Sequence, residues 1–144
     1  MKNVRVYLDT CVWCRPFDDV SDERIWEEAM AFVEILRKEE RNEILVLGSS
    51  VLLFEVSMIS SDEKRKAVEE IIARVAKVAH LTESSKEKAE EIMKCGINAM
   101  DALHIAVAIE NKVDVFITTD DDILKRRGCI SKGIEVENPK EVDR

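Results

Sequence analysis

Short apolar runs that alternate with longer segments of helical periodicity are the feature that most constrains the fold of this chain. Residues 4–8, 44–47 and 113–118 are short runs rich in β-branched residues, as strands buried on both faces are. Segments with an apolar stripe at helical spacing separate them. The alternation predicts a three-layer α/β/α fold with a central parallel sheet of four to five short strands.

The helices are predicted at residues 21–40, 51–59, 62–78, 84–94, 99–110 and 120–127, with a last short strand at 134–136. Ser21 and Asn98 are predicted caps of the first and fifth of these helices. Residues 16–19 are predicted as a turn, with no helix between Asp9 and that turn. We find no internal repeat and no linker, and we expect a single domain over residues 1–144.

The charge balance limits the classes of partner. Lys and Arg total 22 against 30 Asp and Glu, which gives a formal net charge of −8. Such a balance argues against a DNA-coating protein or a polybasic membrane binder, although a nuclease with local basic patches stays compatible with it. The sequence contains no apolar run long enough for a membrane span and no secretory signal, so we expect a cytoplasmic location.

Four cysteines occur, at positions 11, 14, 95 and 129. Cys11 and Cys14 form a C-x-x-C motif, which alone is compatible with half a zinc site or with a redox pair. The chain offers no second C-x-x-C, and an Arg-Pro turn follows the motif at once. We therefore expect packed free thiols, and a redox role for the pair is left open.

Four acids stand at unusual places. Asp9 directly follows the first predicted strand and Asp120 follows the third. Glu55 interrupts an apolar helix, and Asp101 opens a helix that is apolar nearly all round. Each has an ordinary explanation: an Asx-turn, a half-exposed helix, or an acid in a first helical turn.

The predicted fold brings these four acids together, because the carboxyl ends of parallel strands meet at one rim where ligands bind. Two carboxylates about 4 Å apart repel by up to ~4 kcal/mol at an effective dielectric of 20. A cluster of this kind persists if a cation sits in it or if it is protonated. Oxygen ligands without a His–Cys partner favour Mg²⁺ or Mn²⁺ over zinc.

The motifs around these acids resemble those of the PIN domain. The resemblance rests on Asp9-Thr10 after the first strand, Glu55 after Ser49-Ser50, the block D-A-L-H-I-A from Asp101, and the run T-T-D-D-D-I from Thr118. It spans about residues 4–137 and is closest to small stand-alone PIN domains, such as VapC-type toxins of toxin–antitoxin pairs. The chain departs from that pattern at Cys11, where small toxins usually carry Ser or Asn, and at Ile123, where Phe is common.

The resemblance implies an endoribonuclease that depends on Mg²⁺ or Mn²⁺. Asp9, Glu55, Asp101 and Asp120 match its acidic quartet. Asp122 matches an extra acid found in many members and is a candidate ligand of a second metal or a residue behind the ligands. We assign Asp9, Asp101 and Asp120 as metal ligands. Glu55 is then a ligand of a second metal or the group that orients and deprotonates the attacking water. Thr10 and Thr118 are supporting hydroxyls.

The residues that contact RNA are harder to predict than the acidic residues of the site. The cations that flank the acidic rim in sequence are Arg15, Lys125, Arg126 and Arg127. They are candidates for phosphate contacts, although the last three also fit an ordinary solvated helix end. Trp13 is compatible with base stacking, with core packing or with dimer packing. His104 shares a helix face with Asp101 and is interpreted as a core or supporting residue, not as a catalytic one.

The resemblance also implies partners. An RNA substrate, a cognate antitoxin and a second copy of the chain are expected, and a membrane is not. Two other functions stay open: a housekeeping RNA-processing nuclease, and a catalytically silent module that binds RNA or protein.

Overall fold

The computed structural model describes residues 3–130 and 133–142. Five parallel strands form its central sheet in the order β3-β2-β1-β4-β5. They are β1 Val4–Leu8, β2 Ile44–Ser49, β3 Lys77–Ala79, β4 Val115–Ile117 and β5 Glu135–Glu137. The predicted α/β architecture with a central parallel sheet of four to five strands is confirmed. The predicted domain limits, residues 1 and 144, lie outside the described residues.

Eight α-helices connect and cover the strands in the described ranges. They are α1 Thr10–Cys14, α2 Glu23–Glu40, α3 Ser50–Ser57, α4 Asp62–Val75, α5 Glu83–Met93, α6 Ala99–Glu110, α7 Asp121–Lys125 and α8 Arg127–Ile130. Short 3-10 turns occupy Arg15–Phe17 and Pro139–Glu141. None of the helices within these ranges is long and apolar enough to cross a lipid bilayer.

The two faces of the sheet carry separate apolar cores, because successive strand residues point to opposite sides. Val6 and Leu8 of β1 pack with α1, α2, α3 and α4 on one face. Tyr7 of the same strand packs with α5, α6 and α7 on the other face. Trp13 is fully buried in the first core and donates its indole N–H to the Leu8 carbonyl at 3.0 Å. Of its predicted roles, core packing is therefore the one that the structure supports.

Three local predictions are wrong. The C-x-x-C motif lies in α1, a helix that begins directly after Asp9, although no helix was predicted there. The helix predicted over residues 62–78 ends at Val75, and Lys77–Ala79 forms an edge strand instead. The cap of α2 is Asp22 and not Ser21. The prediction of packed free thiols at Cys11 and Cys14 is confirmed. Cys95 and Cys129, for which no pairing was predicted, form a disulfide.

The strand order creates a crevice at one edge of the sheet. From β1 the chain proceeds to β2 and β3 on one side, whereas β4 and β5 lie on the other side. In open parallel sheets, the carboxyl ends at such a reversal form the usual ligand site. Asp9 follows β1 and Asp120 lies beyond the end of β4, so both lie at this edge.

Candidate active site

Asp9 is the buried centre of the acidic edge. The residue is only 4% exposed, and its side chain caps α1 by accepting a hydrogen bond from the Thr10 N–H at 2.8 Å. Its other oxygen accepts from the Thr118 hydroxyl at 2.8 Å and lies 3.6 Å from the Cys11 thiol. Burial raises the pKa of Asp9, despite the opposing effects of His104 and these hydrogen bonds. The carboxylate is thus held firmly in a place where a negative charge is poorly solvated.

Glu55 reaches the same place from α3. Its Oε1 accepts a hydrogen bond from the Thr10 hydroxyl at 2.7 Å and one from His104 Nε2. The hydrogen bond from His104 lowers the pKa of Glu55 despite its partial burial, so the side chain is a carboxylate. Oε2 makes no hydrogen bond with the part of the chain that the structure describes, which leaves it for a water molecule or a cation.

His104 closes this part of the site from α6. Its Nε2 lies 3.9 Å from Asp9 Oδ1, and Asp9, Glu55 and His104 offer donor atoms within 4.8 Å of one another. Burial on its own lowers the pKa of His104, but the hydrogen bond to Glu55 and the carboxylates of Asp9 and Asp101 outweigh it. The pKa of His104 is therefore raised.

Asp101 lies in the first turn of α6. It accepts a hydrogen bond from the Asn98 side-chain amide at 2.8 Å and donates its own backbone N–H to Asn98 at 2.9 Å. Burial raises the pKa of Asp101 to about 6, and the charges of Asp9 and Asp120 add to this effect. These charges place Asp101 in the same electrostatic cluster as Asp9 and Asp120.

Asp120 is the N-cap of α7. Its carboxylate accepts hydrogen bonds from the backbone N–H of Asp122 at 2.8 Å and of Ile123 at 3.4 Å. The backbone N–H of Asp120 donates to the Thr118 hydroxyl at 3.0 Å, and the same hydroxyl donates to Asp9. Thr118 therefore joins the two acids. The side chain of Asp122 is exposed, and no contact joins it to the cluster within the described residues.

The donor set fits a hard divalent cation. Asp9 and Glu55 offer carboxylate oxygens within 4.8 Å of each other, and Thr118 connects Asp9 with Asp120. Burial raises the pKa of Asp101, and the charges of Asp9, Asp120 and Glu55 raise it further, so these acids disfavour the free anion at Asp101. Carboxylate oxygens are the ligands that Mg²⁺ and Mn²⁺ prefer. Among the described residues, Asp9, Glu55 and His104 are the ones whose donor atoms lie close enough together to hold one ion. The assignment of Asp101 and Asp120 as ligands stays a prediction.

Comparison with known proteins places this arrangement in a family. The family model described as PIN domain matches residues 6–128. The chain belongs to the PIN domain family. PIN domains are generally nucleases, and a divalent metal is typical of them. No curated protein sequence matches the chain significantly.

Solved PIN structures share the fold of this chain. The structure of VapBC2 from Rickettsia felis bound to a DNA fragment from their promoter aligns with a TM-score of 0.66 at 13% identity, over 94% of this chain and 98% of that one. VapBC-1 from nontypeable Haemophilus influenzae gives 0.62 at 14% identity, over 96% and 100%. FitAcB from Neisseria gonorrhoeae gives 0.61 at 16% identity, over 95% and 99%. At such identities the likeness shows the fold alone.

The predicted RNA-binding cations lie outside the acidic cluster of this PIN domain. Arg15 is engaged with Glu28 at 2.8 Å and with Asp18 at 2.9 Å. Arg127 pairs with Glu141 at 3.1 Å. Lys125, Arg126 and Arg127 are exposed around the end of α7 and the start of α8. Phosphate contacts by these residues stay predictions.

Sequence reasoning missed several residues that shape the site. Cys11 accepts a hydrogen bond from the Thr119 N–H at 3.4 Å and lies 3.6 Å from both Asp9 and Thr118. Burial raises the pKa of the Cys11 thiol to about 12, so it acts here as a neutral packing group. Tyr7 contacts His104, and Ser49 contacts Tyr7. Nothing in the local sequence marks either as a site residue, because both resemble ordinary strand residues.

Proposed function

We propose that this chain is a metal-dependent endoribonuclease and that it acts as the toxin of a VapBC-type toxin–antitoxin pair. The observation that carries the proposal is that four acids from four separate elements act on one another. Asp9 and Glu55 offer oxygens within 4.8 Å, Thr118 connects Asp9 with Asp120, and the charges of Asp9, Asp120 and Glu55 raise the pKa of Asp101 beyond the effect of burial. Membership of the PIN family and the fold shared with VapBC structures support it.

The residues divide the chemistry of phosphodiester hydrolysis among them. A bound Mg²⁺ or Mn²⁺ would lower the pKa of a water molecule and offset negative charge on the phosphate oxygens. Asp9, Asp101 and Asp120 would hold that ion. Glu55 has Oε2 available to orient and deprotonate the attacking water, because both of its hydrogen bonds fall on Oε1. Asp122 is a further acid of this edge in the proposal.

Asp9→Asn is the sharpest test of the proposal. Asn caps helices as well as Asp does, so α1 should still form, while one carboxylate is lost from the site. We expect purified wild-type protein to cleave generic single-stranded RNA with Mn²⁺ or Mg²⁺, and Asp9→Asn to lose at least ~100-fold in rate. EDTA should abolish wild-type cleavage.

Two results would contradict this assignment. Cleavage that survives both EDTA and Asp9→Asn would exclude the metal mechanism. A folded wild-type protein that binds RNA without cutting it under any divalent ion would favour a catalytically silent binding module instead.

Metal binding has a readout that does not depend on activity. Saturating Mn²⁺ at ~100 times its dissociation constant should add about 2.7 kcal/mol to the free energy of unfolding. A melting temperature that stays constant over a wide Mn²⁺ titration would contradict a metal site in this protein.

The toxin role and the partners need tests of their own. A short reading frame next to this gene should encode the antitoxin, and co-expression should yield a complex with suppressed RNA cleavage. We also propose a homodimer and a cytoplasmic location. A chain that cleaves RNA but has no such neighbour would favour a housekeeping RNA-processing role.

A further inference from the structure

We infer that His104 is a positioning residue that fixes the orientation of Glu55 through a buried relay with Tyr7 and Ser49, and that it is not a metal ligand. The inference rests on the proposed nuclease function, because Glu55 is the group that would activate water.

The relay is a continuous chain of hydrogen bonds between fully buried side chains. Ser49 Oγ and the Tyr7 hydroxyl lie 2.6 Å apart, and the same hydroxyl lies 2.6 Å from His104 Nδ1. His104 Nε2 then contacts Glu55 Oε1. Ser49, Tyr7 and His104 are each 0% exposed. No water is needed to complete the chain, so its order is set by the protein alone.

The relay braces α3 at two points. Ser49 is the N-cap of α3 and accepts a hydrogen bond from the Leu52 N–H at 3.1 Å. Glu55 lies in the second turn of the same helix. Tyr7 comes from β1 and His104 from α6, so two other elements fix the helix that carries the carboxylate. Stacking of Tyr7 on Phe116, with ring centroids 5.5 Å apart, holds the phenol ring in place.

The donor and acceptor roles follow from the atoms. Glu55 is a carboxylate and can only accept, and its Oε1 already accepts from the Thr10 hydroxyl, so the nitrogen that faces Oε1 must donate. Nδ1 can accept from the Tyr7 hydroxyl or donate to it, since a phenol serves in both roles. In either arrangement Nε2 carries a proton, and a protonated ring nitrogen has no lone pair for a metal ion.

The closeness of His104 to Asp9 and Glu55, taken alone, would suggest that His104 is a metal ligand. The donor atoms of Asp9, Glu55 and His104 lie within 4.8 Å of one another, as those of a metal site do. The hydrogen bond to Glu55 resolves the ambiguity, because it uses the one ring nitrogen that faces the acids. Nδ1, the other nitrogen, is directed at Tyr7. His104 therefore fixes the direction of the Glu55 carboxylate, as residues behind a metal site generally do.

Paired substitutions test the relay. Gln at position 104 keeps an amide donor near the place of Nε2, whereas Asn is shorter and keeps a polar group near Nδ1 only. We expect His104→Asn to lower kcat by about 10–100-fold with little change in KM, and His104→Gln to recover most of that loss. Tyr7→Phe, which keeps the stacked ring, should lower kcat by a smaller factor. The control is His80→Gln, because His80 is the only other histidine and is exposed.

Imidazole ¹⁵N spectroscopy tests the same point without any activity. The Nε2 of His104 should carry its proton in the metal-free protein and keep it when Mg²⁺ saturates the protein. His80→Gln assigns the signals, since one histidine then remains. This measurement uses the wild-type fold, so it decides the question even if the position 104 variants do not fold.

The possible failures are distinguishable. Equal losses in His104→Asn and His104→Gln, or a wild-type kcat in His104→Asn, would overturn the positioning role. An Nε2 that loses its proton as Mg²⁺ binds would make His104 a ligand and overturn the inference. Absence of cleavage by the wild-type protein would instead overturn the proposed function.

Discussion

Asp101 shows at the scale of one residue what the acidic edge costs without a cation. A position in the first turn of α6 and a hydrogen bond from Asn98 both favour its ionised form. Its pKa is nevertheless raised to about 6, because burial and the charges of Asp9 and Asp120 outweigh those two effects. The site therefore favours a proton, or another cation, over a free anion.

Because the pKa of Asp101 is raised, this residue makes the stability of the fold depend on pH. The pKa of its carboxyl is higher in the folded protein than in the unfolded chain, so its stabilising contribution is complete below about pH 4 and is lost as pH rises through about 6. We expect Asp101→Asn to remove about 1–2 kcal/mol of that dependence, after allowance for its partial exposure. Urea unfolding of both proteins in EDTA, from pH 4 to 7, measures the difference.

Added metal should reverse the order of stability of the wild-type protein and Asp101→Asn that is expected in EDTA at pH 7. With saturating Mn²⁺ at pH 7, the wild-type protein should gain more stability than Asp101→Asn, because the variant has lost one carboxylate. Parallel stability curves for the two proteins in EDTA would contradict a raised pKa of Asp101. An Asp101→Asn chain that does not fold would show that Asp101 is structural instead.

At the scale of elements, the fully buried Glu28 joins α2 to its neighbours. It accepts hydrogen bonds from Arg15 at 2.8 Å, from Arg24 at 3.3 Å and from the Asn138 amide at 2.6 Å. Arg24 also donates to both oxygens of Asp121 at 2.9 Å. This network attaches α2 to the turn after α1 on one side and to the start of α7 on the other.

Arg15→Met separates a structural role for Arg15 from the predicted phosphate contact. Loss of a cation that neutralises a buried carboxylate typically costs 3–5 kcal/mol, so we expect a loss of about 3 kcal/mol in the free energy of unfolding. Arg127→Met is the matched control: it breaks an exposed pair with Glu141 and should cost less than about 1 kcal/mol. Urea denaturation measures both, and equal small losses would contradict the structural role of Arg15.

Elements with a strong local signal were predictable from sequence, and elements set by tertiary contacts were not. The apolar helix behind Asn98 was predicted at residues 99–110, which is the range of α6. The edge strand Lys77–Ala79 was missed because it has three residues and continues the pattern of α4. Helix α1 was missed because its capping Asp9 also ends a strand, which favoured a turn.

The same distinction applies to the candidate site. The four acids were predictable because each interrupts an apolar context or ends a strand, and the fold then places them at one edge. The His104 relay was not, since Tyr7, Ser49 and His104 come from three distant segments and each reads as an ordinary core residue. The Cys95–Cys129 pairing likewise depends on the approach of two segments 34 residues apart.

At the scale of the whole molecule, α3 has an outer face that a single copy leaves uncovered. Leu53, Phe54 and Met58 are 40%, 55% and 69% exposed, although the opposite side of the helix is already buried in the core. A helix that is apolar on both sides is normally buried on both. The exposed apolar residues of α2, by contrast, lie among many charged side chains of the same helix. We therefore expect the proposed homodimer to form through α3.

Phe54→Asp should convert that dimer to monomers, because it places a charge in an apolar interface. Trp26→Asp is the matched control, since Trp26 is similarly exposed at 52% but lies on α2. Sedimentation equilibrium measures the mass of each protein. A wild-type monomer, or dissociation by Trp26→Asp rather than by Phe54→Asp, would contradict an interface on α3.

The Cys95–Cys129 disulfide constrains the chain around the site and bears on where the protein works. The bond joins the segment before α6 to α8. Helix α6 carries Asp101, and α8 follows the helix that Asp120 caps. Disulfides are rare in reducing compartments, so this bond is the observation that weighs against the predicted cytoplasmic location. A loop of 34 residues closed by a disulfide stabilises a fold by about 3–4 kcal/mol through the entropy of the unfolded chain.

Reduction should therefore lower the melting temperature by roughly 10 °C, since 1 kcal/mol corresponds to a few degrees in a chain of this size. The double variant Cys95→Ser/Cys129→Ser should melt at the temperature of the reduced protein and should not respond to dithiothreitol. Thiol titration of the protein, denatured without reductant, should find only the two free cysteines, Cys11 and Cys14. Four titratable thiols in protein taken directly from its source would mean that the bond does not form there, and the objection to a cytoplasmic location would then disappear.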